Sequence, residues 1–455
     1  MTKINRRTIL KVLGGILLGT FWPELGGHAS VMNKVSKKGI KTLNTDILIV
    51  GGGTAGVIAA LQASRAGCST ILVENGSQLG GTITTGGVSF PGLFHAWGKQ
   101  IIEGIGWELV KETVNLNDDA LPDFSIPFGK NHTKHQVRIN GYLYTLLAEE
   151  KCLKAGVQLR YYETPVDVKF NGNNWVVNTV GKGTQTRIIA NQLIDCTGNA
   201  FLTSLAGFNV LKEEEIQPGS LMFRIGGYDL KSLDMGMIRK RYDEEVKNGR
   251  LVREDFRNNI EGLLISAGDN IQHVFGADST TSESNTMTNI KGRSSLLNTL
   301  RFLRELPGCE KTKIISMQPE TGVRETYRID GIYKITLEDY VSGKIFNDSV
   351  CYSFYPIDLH DKNGVVPLQL KEGVVPTIPL RALIPKKSRN FIVAGRCVSS
   401  DRMANSALRV QASCMAMGQA AGAAAAIAKI NNTTPLEIPI NTLNSLLKEH
   451  KAIVP

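Results

Sequence analysis

The chain has 455 residues, of which 42% are hydrophobic and 21% charged, a composition typical of a globular protein with a sizeable core. Its formal net charge is +10, but the basic residues are scattered without Lys/Arg blocks or interleaved aromatics, which disfavours nucleic-acid binding. Seven cysteines without a C-x-x-C pair or metal-type clustering argue against a disulfide framework and indicate no metal site, although a single bridge formed after export stays open.

The first 29 residues are predicted to be an export signal. Arg6 and Arg7 precede the apolar segment Val12–Phe21, which is too short to span a bilayer, so no stable membrane span is expected in the mature form. The arginine pair followed by Ile-Leu-Lys resembles a twin-arginine signal, and residues 27–29 (Gly-His-Ala) suggest cleavage after this point. The predicted location is therefore periplasmic or otherwise exported. A general-secretory signal and an uncleaved anchor are the alternatives.

The stretch from Asp46 to Asn75 is predicted to be a nucleotide-binding β-α-β unit. An apolar strand, Asp46–Val50, leads into a G-x-G-x-x-G turn, an alanine-rich helix follows, and a second strand, Ile71–Val73, ends at an acid. In such a unit the glycines permit a tight turn, close backbone approach to a pyrophosphate and close helix packing, while the acid binds a ribose. The predicted dinucleotide contacts are Gly51, Gly53, Thr54, Ala55, Gly56, Glu74 and Asn75.

A Gly/Thr-rich loop follows, placed where a bound dinucleotide would continue. Its backbone N–H groups and hydroxyls are predicted contacts at Gly81, Thr82, Thr85 and Gly86; a flexible surface loop is the alternative. Beyond it the apolar spacing predicts helices over Gly98–Thr113 and Tyr142–Lys154, separated by an irregular segment over 115–140. Strands are then predicted at Val157–Tyr162, Val166–Phe170, Trp175–Val180, Thr186–Ile189 and Gln192–Asp195, with turns that make a three-stranded meander.

These features together resemble the two-dinucleotide-binding-domain flavoproteins, the FAD-dependent oxidoreductases related to fumarate-reductase-like and heterodisulfide-reductase-subunit-A-like proteins. The glycine turn with its terminal acid, the meander, and the strand ending Asp-Cys-Thr-Gly carry the resemblance, together with segments 322–333, 390–399 and 409–422. The resemblance implies FAD, bound non-covalently, with further contacts at Val166, Thr197, Gly198, Gly395, Arg396, Arg409, Val410 and Gln411. Arg396 stands where many relatives of this class have Glu.

The implied fold class is α/β with an α+β insertion: a Rossmann-like FAD-binding domain with a central parallel sheet and a β-meander, plus a mixed substrate or cap domain. The FAD domain is predicted to be discontinuous (45–90, 140–210 and 386–430), with the cap formed by 91–139 and 211–385 and a C-terminal tail with a short helix at 431–455. The N-terminus of the alanine-rich helix from Gln411 to about Ile430 would stabilise negative charge on the reduced flavin. A tight helix-packing surface is the other interpretation, and the two are compatible.

Residues 210–385 carry no recognisable catalytic signature. Strands are predicted at Ser220–Ile225, Ser353–Leu359 and Thr377–Leu380, a helix at Leu296–Leu306, and a mobile loop at Gly268–Asn289.

Four residues of this region are the catalytic candidates. Strand alternation would place Asp358 beside His360, so that the carboxylate orients the imidazole for proton abstraction; a structural His–Asp pair is the alternative. Arg324 and Arg381 would hold a carboxylate or polar substrate, unless they simply pair with Glu325 and Glu372.

The sequence thus predicts an exported FAD-dependent oxidoreductase that transfers a hydride between a small polar organic substrate and flavin N5. The absence of a second G-x-G-x-x-G favours a separate, non-nicotinamide electron acceptor. The alternatives are an electron-transfer flavoprotein subunit of a larger complex, a flavin-binding protein without turnover, and an NAD-only dehydrogenase. Substrate identity, direction and oligomeric state are not indicated.

Overall fold

The computed structural model describes residues 39–126, 131–257, 259–362, 364–365 and 367–455. The predicted export signal lies outside these residues. Residues Lys41–Pro455 form one unit by their internal contacts.

Eighteen strands and eleven α-helices are described in this unit. The strands are β1 (Lys41–Val50), β2 (Thr70–Glu74), β3 (His95–Ala96), β4 (Lys99–Gln100), β5 (Gln158–Tyr161), β6 (Glu163–Phe170), β7 (Trp175–Gly181), β8 (Thr184–Asp195), β9 (Val210–Leu211), β10 (Phe223–Gly226), β11 (Gly268–Asp269), β12 (Lys313–Met317), β13 (Arg328–Ile329), β14 (Ser349–Tyr352), β15 (His360–Asp361), β16 (Gly364–Val365), β17 (Thr377–Pro379) and β18 (Phe391–Val393). The helices are α1 (Thr54–Arg65), α2 (Ile105–Leu116), α3 (Gly141–Lys154), α4 (Phe201–Leu205), α5 (Met235–Lys247), α6 (Ile260–Ser266), α7 (Ser282–Leu303), α8 (Leu337–Ser342), α9 (Arg402–Leu408), α10 (Gln411–Ile430) and α11 (Ile440–Glu449).

The main sheet has seven strands in the order β5-β2-β1-β8-β7-β6, with β18 also paired to β8. Pairs β5–β2, β2–β1, β1–β8 and β18–β8 are parallel, whereas β8–β7 and β7–β6 are antiparallel and form the predicted meander. Strand β8 is long because one half pairs with β7 and its last residues pair with β18. The predicted α/β class with a mostly parallel central sheet is confirmed.

Helices α1 and α10 pack against each other beside this sheet. The contact is close because small residues face it: a Cβ added at Gly418 or Gly422 would overlap the carbonyl oxygens of Ala55 and Ala59. Both helices are almost wholly buried. The tight packing predicted for the alanine-rich helix is therefore present, and it fixes the position of the α10 N-terminus relative to the glycine turn.

A second apolar cluster lies in the middle of the sequence. Its buried side chains run from Leu221 to Cys309 and come from β10 and from helices α5, α6 and α7. The later residues Ile335–Ile384 belong instead to the main core around α1 and α10. The predicted domain boundaries stay a prediction.

Three predicted elements differ most from the structure, and the strands predicted at Thr186–Ile189 and Gln192–Asp195 form the single strand β8. The helix expected at Gly98–Thr113 begins only at Ile105, after Gly104 with a φ of 85°. The expected loop Gly268–Asn289 is wrong in its second half, because Thr281 and Ser284 form a capping box that starts α7 at Ser282.

The third difference concerns the strand expected at Ser353–Leu359. The strand is β14, which ends at Tyr352, and only an isolated bridge from Ile357 to Leu368 follows. The hydroxyl of buried Tyr340 bonds both the N–H and the C=O of Tyr355, which replaces the ladder contacts that a strand would make.

Candidate active site

The parallel strands bring their carboxyl ends to one edge of the main sheet. Val50 of β1 is in register with Val73 of β2 and with Asp195 of β8, and Asp195 is in register with Val393 of β18. The turns that follow these strands therefore converge. This edge is where open α/β sheets bind their ligands.

The G-x-G-x-x-G turn has the geometry that dinucleotide binding requires. Gly51 has a φ of 100°, and an added Cβ would overlap the backbone of Cys196. A Cβ at Gly56 would overlap the carbonyl oxygen of Gly51, whereas one at Gly53 would meet no atom within 4 Å. There is therefore no room for a side chain at Gly51 or Gly56, whereas Gly53 faces open space. No side chain of the described residues caps α1 at Gly53.

Thr54 and Ala55 lie in the first turn of α1 and are buried. The Thr54 hydroxyl approaches the carbonyl oxygen of Gly80 at 3.5 Å, and a Cβ at Gly395 would lie 3.3 Å from Cβ of Ala55. This first turn is thus packed against both the Gly/Thr loop and the turn after β18.

Glu74 closes β2 beside the same turn. Its carboxylate accepts hydrogen bonds from Gly52 N and Gly76 N, both at 2.6 Å. Burial raises the pKa of this carboxyl despite those bonds. Asn75 is exposed next to it.

The Gly/Thr loop joins the two helix N-termini. Gly80 bridges Gly53, and a Cβ at Gly81 would lie 2.9 Å from Cα of Gly53. At its other end Val88 accepts a hydrogen bond from Gln411 Nε2 at 3.0 Å. The loop is therefore an ordered connection from α1 to α10, and the alternative of a flexible surface loop is disfavoured.

The remaining loop candidates have internal partners as well. Val88 N donates to Thr82 O, Gly86 N donates to Gly81 O, and the Thr85 hydroxyl accepts from Gln78 at 3.4 Å. Val166 lies apart on β6 and is 50% exposed.

The turns after β8 and β18 are locked together by Arg396. Its Nε donates to Gly198 O at 2.7 Å and its Nη1 donates to Val323 O. The Thr197 hydroxyl donates to Asp195 at 2.6 Å and so serves the turn itself. Arg396 thus has a role at this edge that differs from that of a Glu, since it ties two strand-end turns to segment 322–333.

The N-terminus of α10 is formed by Val410 and Gln411, directly after Arg409. Among the described residues no side chain caps this helix, and none is a hydrogen-bond partner of the buried Oε1 of Gln411 or Nε of Arg409. Buried polar atoms are rarely left without partners in native proteins.

The residues at this edge fit FAD. The open face at Gly53 and the uncapped N-terminus of α1 suit a pyrophosphate, and Glu74 is placed at the end of β2 for a ribose. The uncapped N-terminus of α10 suits the ring end, where reduction places negative charge.

A buried polar cluster adjoins α10 through Arg409, and we call it the His–Arg cluster. Its side chains are linked by hydrogen bonds or by close charges, and its members are Gln217, Arg257, His273, Arg324, Asp358, His360 and Arg409.

The predicted pair of Asp358 and His360 is at its centre. His360 Nε2 lies 3.1 Å from Asp358 Oδ2, and Arg409 Nη2 lies 3.7 Å from the same oxygen. Although Asp358 is not on a strand, the chain still places the two side chains together. Gln217 Oε1 accepts from His360 N at 3.2 Å and from Arg409 Nη2 at 3.3 Å.

The arginines outnumber the acids in this cluster. Arg324 donates to Pro218 O at 2.5 Å and to Ser220 Oγ at 2.9 Å, and Arg257 donates to Asn270 O at 2.9 Å. Within the described residues, neither arginine has a carboxylate at ion-pair distance. The three arginine charges, Arg409 included, therefore face the single negative charge of Asp358, which leaves a surplus of two.

Both alternatives offered for the arginines are corrected. Glu325 pairs with Arg328 and Arg402 rather than with Arg324. Arg381 pairs with Asp348 at 3.0 Å rather than with Glu372, and none of its hydrogen bonds or ion pairs joins it to the His–Arg cluster.

The partners of the two imidazoles fix their tautomers. Arg257 Nε can only donate, so His273 Nε2, 3.0 Å away, must accept. Asp358 is a carboxylate that can only accept, so His360 Nε2 carries a hydrogen. Nδ1 of His360, whose lone pair has no donor, then lies 3.1 Å from Nε2 of His273, whose single lone pair accepts from Arg257, and no proton lies between the two nitrogens.

The electrostatic surroundings keep this pair neutral. Burial and the charge of Arg324 lower the pKa of His360 to about 3, and burial with the charges of Arg324 and Arg257 lowers the pKa of His273 to about 2. Burial would raise the pKa of Asp358, but the hydrogen bond from His360 and the nearby arginines lower it to about 2. Burial and the charge of Arg409 lower the pKa of Arg324 to about 9, which leaves it charged at neutral pH.

Three members of the cluster were not predicted from the sequence: Gln217, Arg257 and His273. They come from separate loops, and His273 lies inside the stretch expected to be a mobile loop. The only pattern near these residues is an alternation in which Ile271, His273 and Phe275 would lie on the same face of an extended segment. Such a pattern does not distinguish a functional histidine from a buried structural one.

The chain belongs to the FAD-dependent oxidoreductase family, whose model matches residues 46–447. The protein is thus an oxidoreductase enzyme with FAD as its cofactor, and the predicted membership of this family is confirmed. The closer relation to fumarate-reductase-like and heterodisulfide-reductase-subunit-A-like proteins stays a prediction.

Two curated proteins match shorter stretches. Thioredoxin reductase of Rickettsia bellii (strain RML369-C) is 29% identical over 140 residues, which is 29% of this chain and 41% of that protein. Dihydrolipoyl dehydrogenase of Pseudomonas aeruginosa is 47% identical over 55 residues, 12% of each chain. The matches span less than half the length of these relatives.

Two solved structures cover most of the chain at low similarity. OxyS anhydrotetracycline hydroxylase from Streptomyces rimosus has a TM-score of 0.42 and 13% identity, covering 90% of this chain and 66% of that one. A geranylgeranyl bacteriochlorophyll reductase-like protein from Thermoplasma acidophilum has a TM-score of 0.42 and 14% identity, covering 90% and 84%.

The described residues contain neither a candidate metal cluster nor a membrane-spanning helix. No group of three or more His, Cys, Asp or Glu is arranged to hold a metal ion there. None of the described helices is both long and apolar enough to cross a membrane. All seven cysteines are buried free thiols.

Proposed function

We propose that this enzyme transfers a hydride between a carbon of a small polar organic substrate and the N5 atom of FAD. The observation that carries the proposal is the His–Arg cluster, a buried set of proton-accepting and charged groups attached to α10 through Arg409. Bound FAD supplies the two-electron chemistry, since N5 can take a hydride or return one.

In the oxidative direction a substrate C–H bond breaks with loss of hydride, and the proton of the neighbouring O–H or N–H group goes to His360. The free lone pair of His360 Nδ1 accepts this proton, and the resulting N–H lies 3.1 Å from His273 Nε2, with which it makes an N–H···N hydrogen bond. Asp358 holds the other nitrogen of His360 and orients the ring. In the reductive direction the same pair returns the proton.

Arg324 and Arg409 would orient the substrate. Arg324 is fixed by Pro218 O and Ser220 Oγ, so its charge is held in place without a neutralising carboxylate. A fixed guanidinium binds a polar oxygen with little loss of side-chain entropy.

The electrons are proposed to pass to a separate, non-nicotinamide acceptor, because the sequence has only one G-x-G-x-x-G unit. The substrate and this acceptor are the proposed partners. The enzyme is proposed to act outside the cytoplasm, on the strength of the arginine pair and apolar segment near its N-terminus.

Anaerobic bleaching of the flavin tests the redox proposal. The FAD-loaded protein would be mixed, without oxygen, with a panel of hydroxy acids, sugars, amines and steroids, and the loss of flavin absorbance recorded. At least one compound is expected to bleach the flavin. If dithionite reduces it and reoxidation proceeds normally, yet no compound of any class acts as donor and no oxidised counterpart acts as acceptor, hydride transfer to a small polar substrate is wrong.

A further inference from the structure

The His–Arg cluster has more hydrogen-bond donors than acceptors. Gln217 Nε2 and Arg409 Nε are buried without partners, although both side chains bond to each other through Gln217 Oε1. Arg324 and Arg257 add two positive charges that no carboxylate of the described residues neutralises. Buried charges are normally paired, because removing an unpaired charge from water costs several kcal/mol. A ligand with negatively charged oxygens would supply both the missing acceptors and the missing charge.

The same cluster lacks one proton. The hydrogen bonds from Arg257 and to Asp358 leave no proton between His273 Nε2 and His360 Nδ1, which lie 3.1 Å apart, and only the lone pair of His360 Nδ1 is without a donor. An added proton would convert this repulsive contact into a hydrogen bond. Burial and the positive charges around the pair oppose that proton while the cluster has no anion.

The charges with the largest effect on the pair belong to the cluster. His273 is affected by Arg324, Arg257 and Asp358, and His360 by Arg324, Asp358 and Arg409. Tyr355 and His132 lie one layer out, beside Asp358. An anion that neutralises the arginines therefore removes the main charges that oppose protonation of the pair.

A surface depression of about 660 Å³ is linked to the cluster through Gln136 and Tyr355. Lys134, Gln136 and Arg138 line it, with Asp119 as its one described acid. Gln136 Nε2 donates to the hydroxyl of Tyr355 at 3.3 Å, and Tyr355 is close enough to Asp358, Arg409 and Arg324 to be affected by their charges. The depression thus adjoins the outer side of the cluster, and its walls carry more basic than acidic groups.

We propose that Arg257, Arg324 and Arg409 bind the carboxylate of the oxidised form of an anionic substrate, and that this binding takes up one proton between His273 and His360, the proton that the reductive direction returns to the substrate. Carboxylates suit this cluster because a planar guanidinium can donate two parallel hydrogen bonds to them. The inference deepens the proposed function and rests on it for the position of the substrate. It adds two properties that hydride transfer alone does not require: the substrate must carry a negative charge, and its binding must be accompanied by uptake of a proton.

Calorimetric titration of the FAD-loaded, oxidised protein tests the proposal without turnover. Succinate and acetate would be compared with succinamide and acetamide, and with inorganic phosphate, in two neutral buffers of different ionisation enthalpy. We expect the carboxylates to bind, the amides to fail, and the buffer dependence to report uptake of about one proton per bound anion. Equal binding of amides, tighter binding of phosphate, or absence of proton uptake would overturn the proposal.

Matched variants assign the effect to residues. Arg257→Gln should weaken carboxylate binding about tenfold or more, because a hydrogen bond to a charged group is lost. Arg239→Gln is the control, since Arg239 on α5 pairs with Glu261 away from the cluster and should leave binding unchanged. His273→Gln should keep much of the affinity but lose the proton uptake.

If Arg257→Gln does not load FAD, Arg257→Lys keeps the charge and should bind carboxylates more weakly than wild type but in the same order. Unchanged affinity in a folded Arg257 variant would refute the site. A neutral compound that bleaches the flavin while no carboxylate binds would refute the anion site and leave the redox proposal standing. If carboxylates bind with proton uptake but no compound bleaches the flavin, the redox proposal is refuted and the anion site stands.

Discussion

At the scale of single residues, the buried imidazole of His360 determines part of the response of the fold to acid. Its folded-state pKa is lowered to about 3, whereas the unfolded chain takes up the proton near the ordinary value of 6.5. The unfolded state therefore binds more protons between these values, so the contribution of His360 to stability is complete above pH 6.5 and is lost as pH falls towards the folded pKa.

We accordingly expect the free energy of unfolding of the wild-type protein to fall between pH 7 and pH 5, by about 2 kcal/mol from His360 alone. His360→Gln should show a smaller fall over the same range, because its side chain does not titrate. Urea unfolding of the apoprotein at the two pH values measures this. Equal losses in the two proteins would contradict the burial of a neutral His360.

The same residue scale shows what could be predicted from sequence. Asp358 and His360 are two positions apart in the sequence, so the predicted contact between their side chains is present although the predicted strand is not. Arg324 and Glu325 are adjacent, yet they point to different partners, since Glu325 is buried between Arg328 and Arg402. Arg257 and His273 reach the cluster from distant loops, and no short-range pattern encodes such a meeting.

At the scale of elements, the unit of β1, α1 and β2 is the best determined part of the structure. Its glycines differ in what they do, because Gly56 is enclosed by Gly51 and the next strand while Gly53 faces open space. Spacing alone predicted this unit, since its strands, glycine turn, helix and terminal acid all lie within residues 46–75. The first part of helix α7 was missed because Ser and Thr favour both loops and helix caps, and here they form a cap.

Two alanine substitutions separate these roles. Gly53→Ala should leave the thermal stability of the apoprotein unchanged but weaken FAD binding by about tenfold or more, because the methyl group occupies the place of a close backbone approach. Gly56→Ala should destabilise the apoprotein by about 3 kcal/mol, because its methyl group would overlap Gly51 O.

Thermal melts of the apoproteins and FAD titration followed by flavin fluorescence measure the two effects. If Gly53→Ala binds FAD as wild type does, the assignment of the open face at Gly53 to the pyrophosphate is wrong. If Gly56→Ala melts with wild-type stability, the close packing at that position is wrong.

At the scale of the whole molecule, the family and the α/β class followed from the order of motifs along the chain. The substrate did not, because residues 210–385 combine a separate apolar cluster with segments of the main core, and the side chains that matter come from several loops. Binding sites made by tertiary contacts leave no periodic signal in the sequence.

The predicted export concerns the whole molecule, because the twin-arginine route carries folded proteins. Replacing Arg6 and Arg7 by Lys should leave the precursor in the cytoplasm, because the twin-arginine route requires the arginine pair and carries proteins that have already folded around their cofactor. Cell fractionation followed by immunoblotting measures the distribution. Unchanged export of the double variant would contradict this route.

The proposed hydride transfer depends most on the His–Arg cluster acting on a substrate beside FAD. The direct measurement is the rate of anaerobic flavin reduction by a bleaching compound, compared between wild type and His360→Asn after both are shown to hold FAD. We predict that His360→Asn is reduced about a hundredfold more slowly or worse, as expected for loss of a positioned proton acceptor. A rate equal to that of wild type would contradict the role of the cluster.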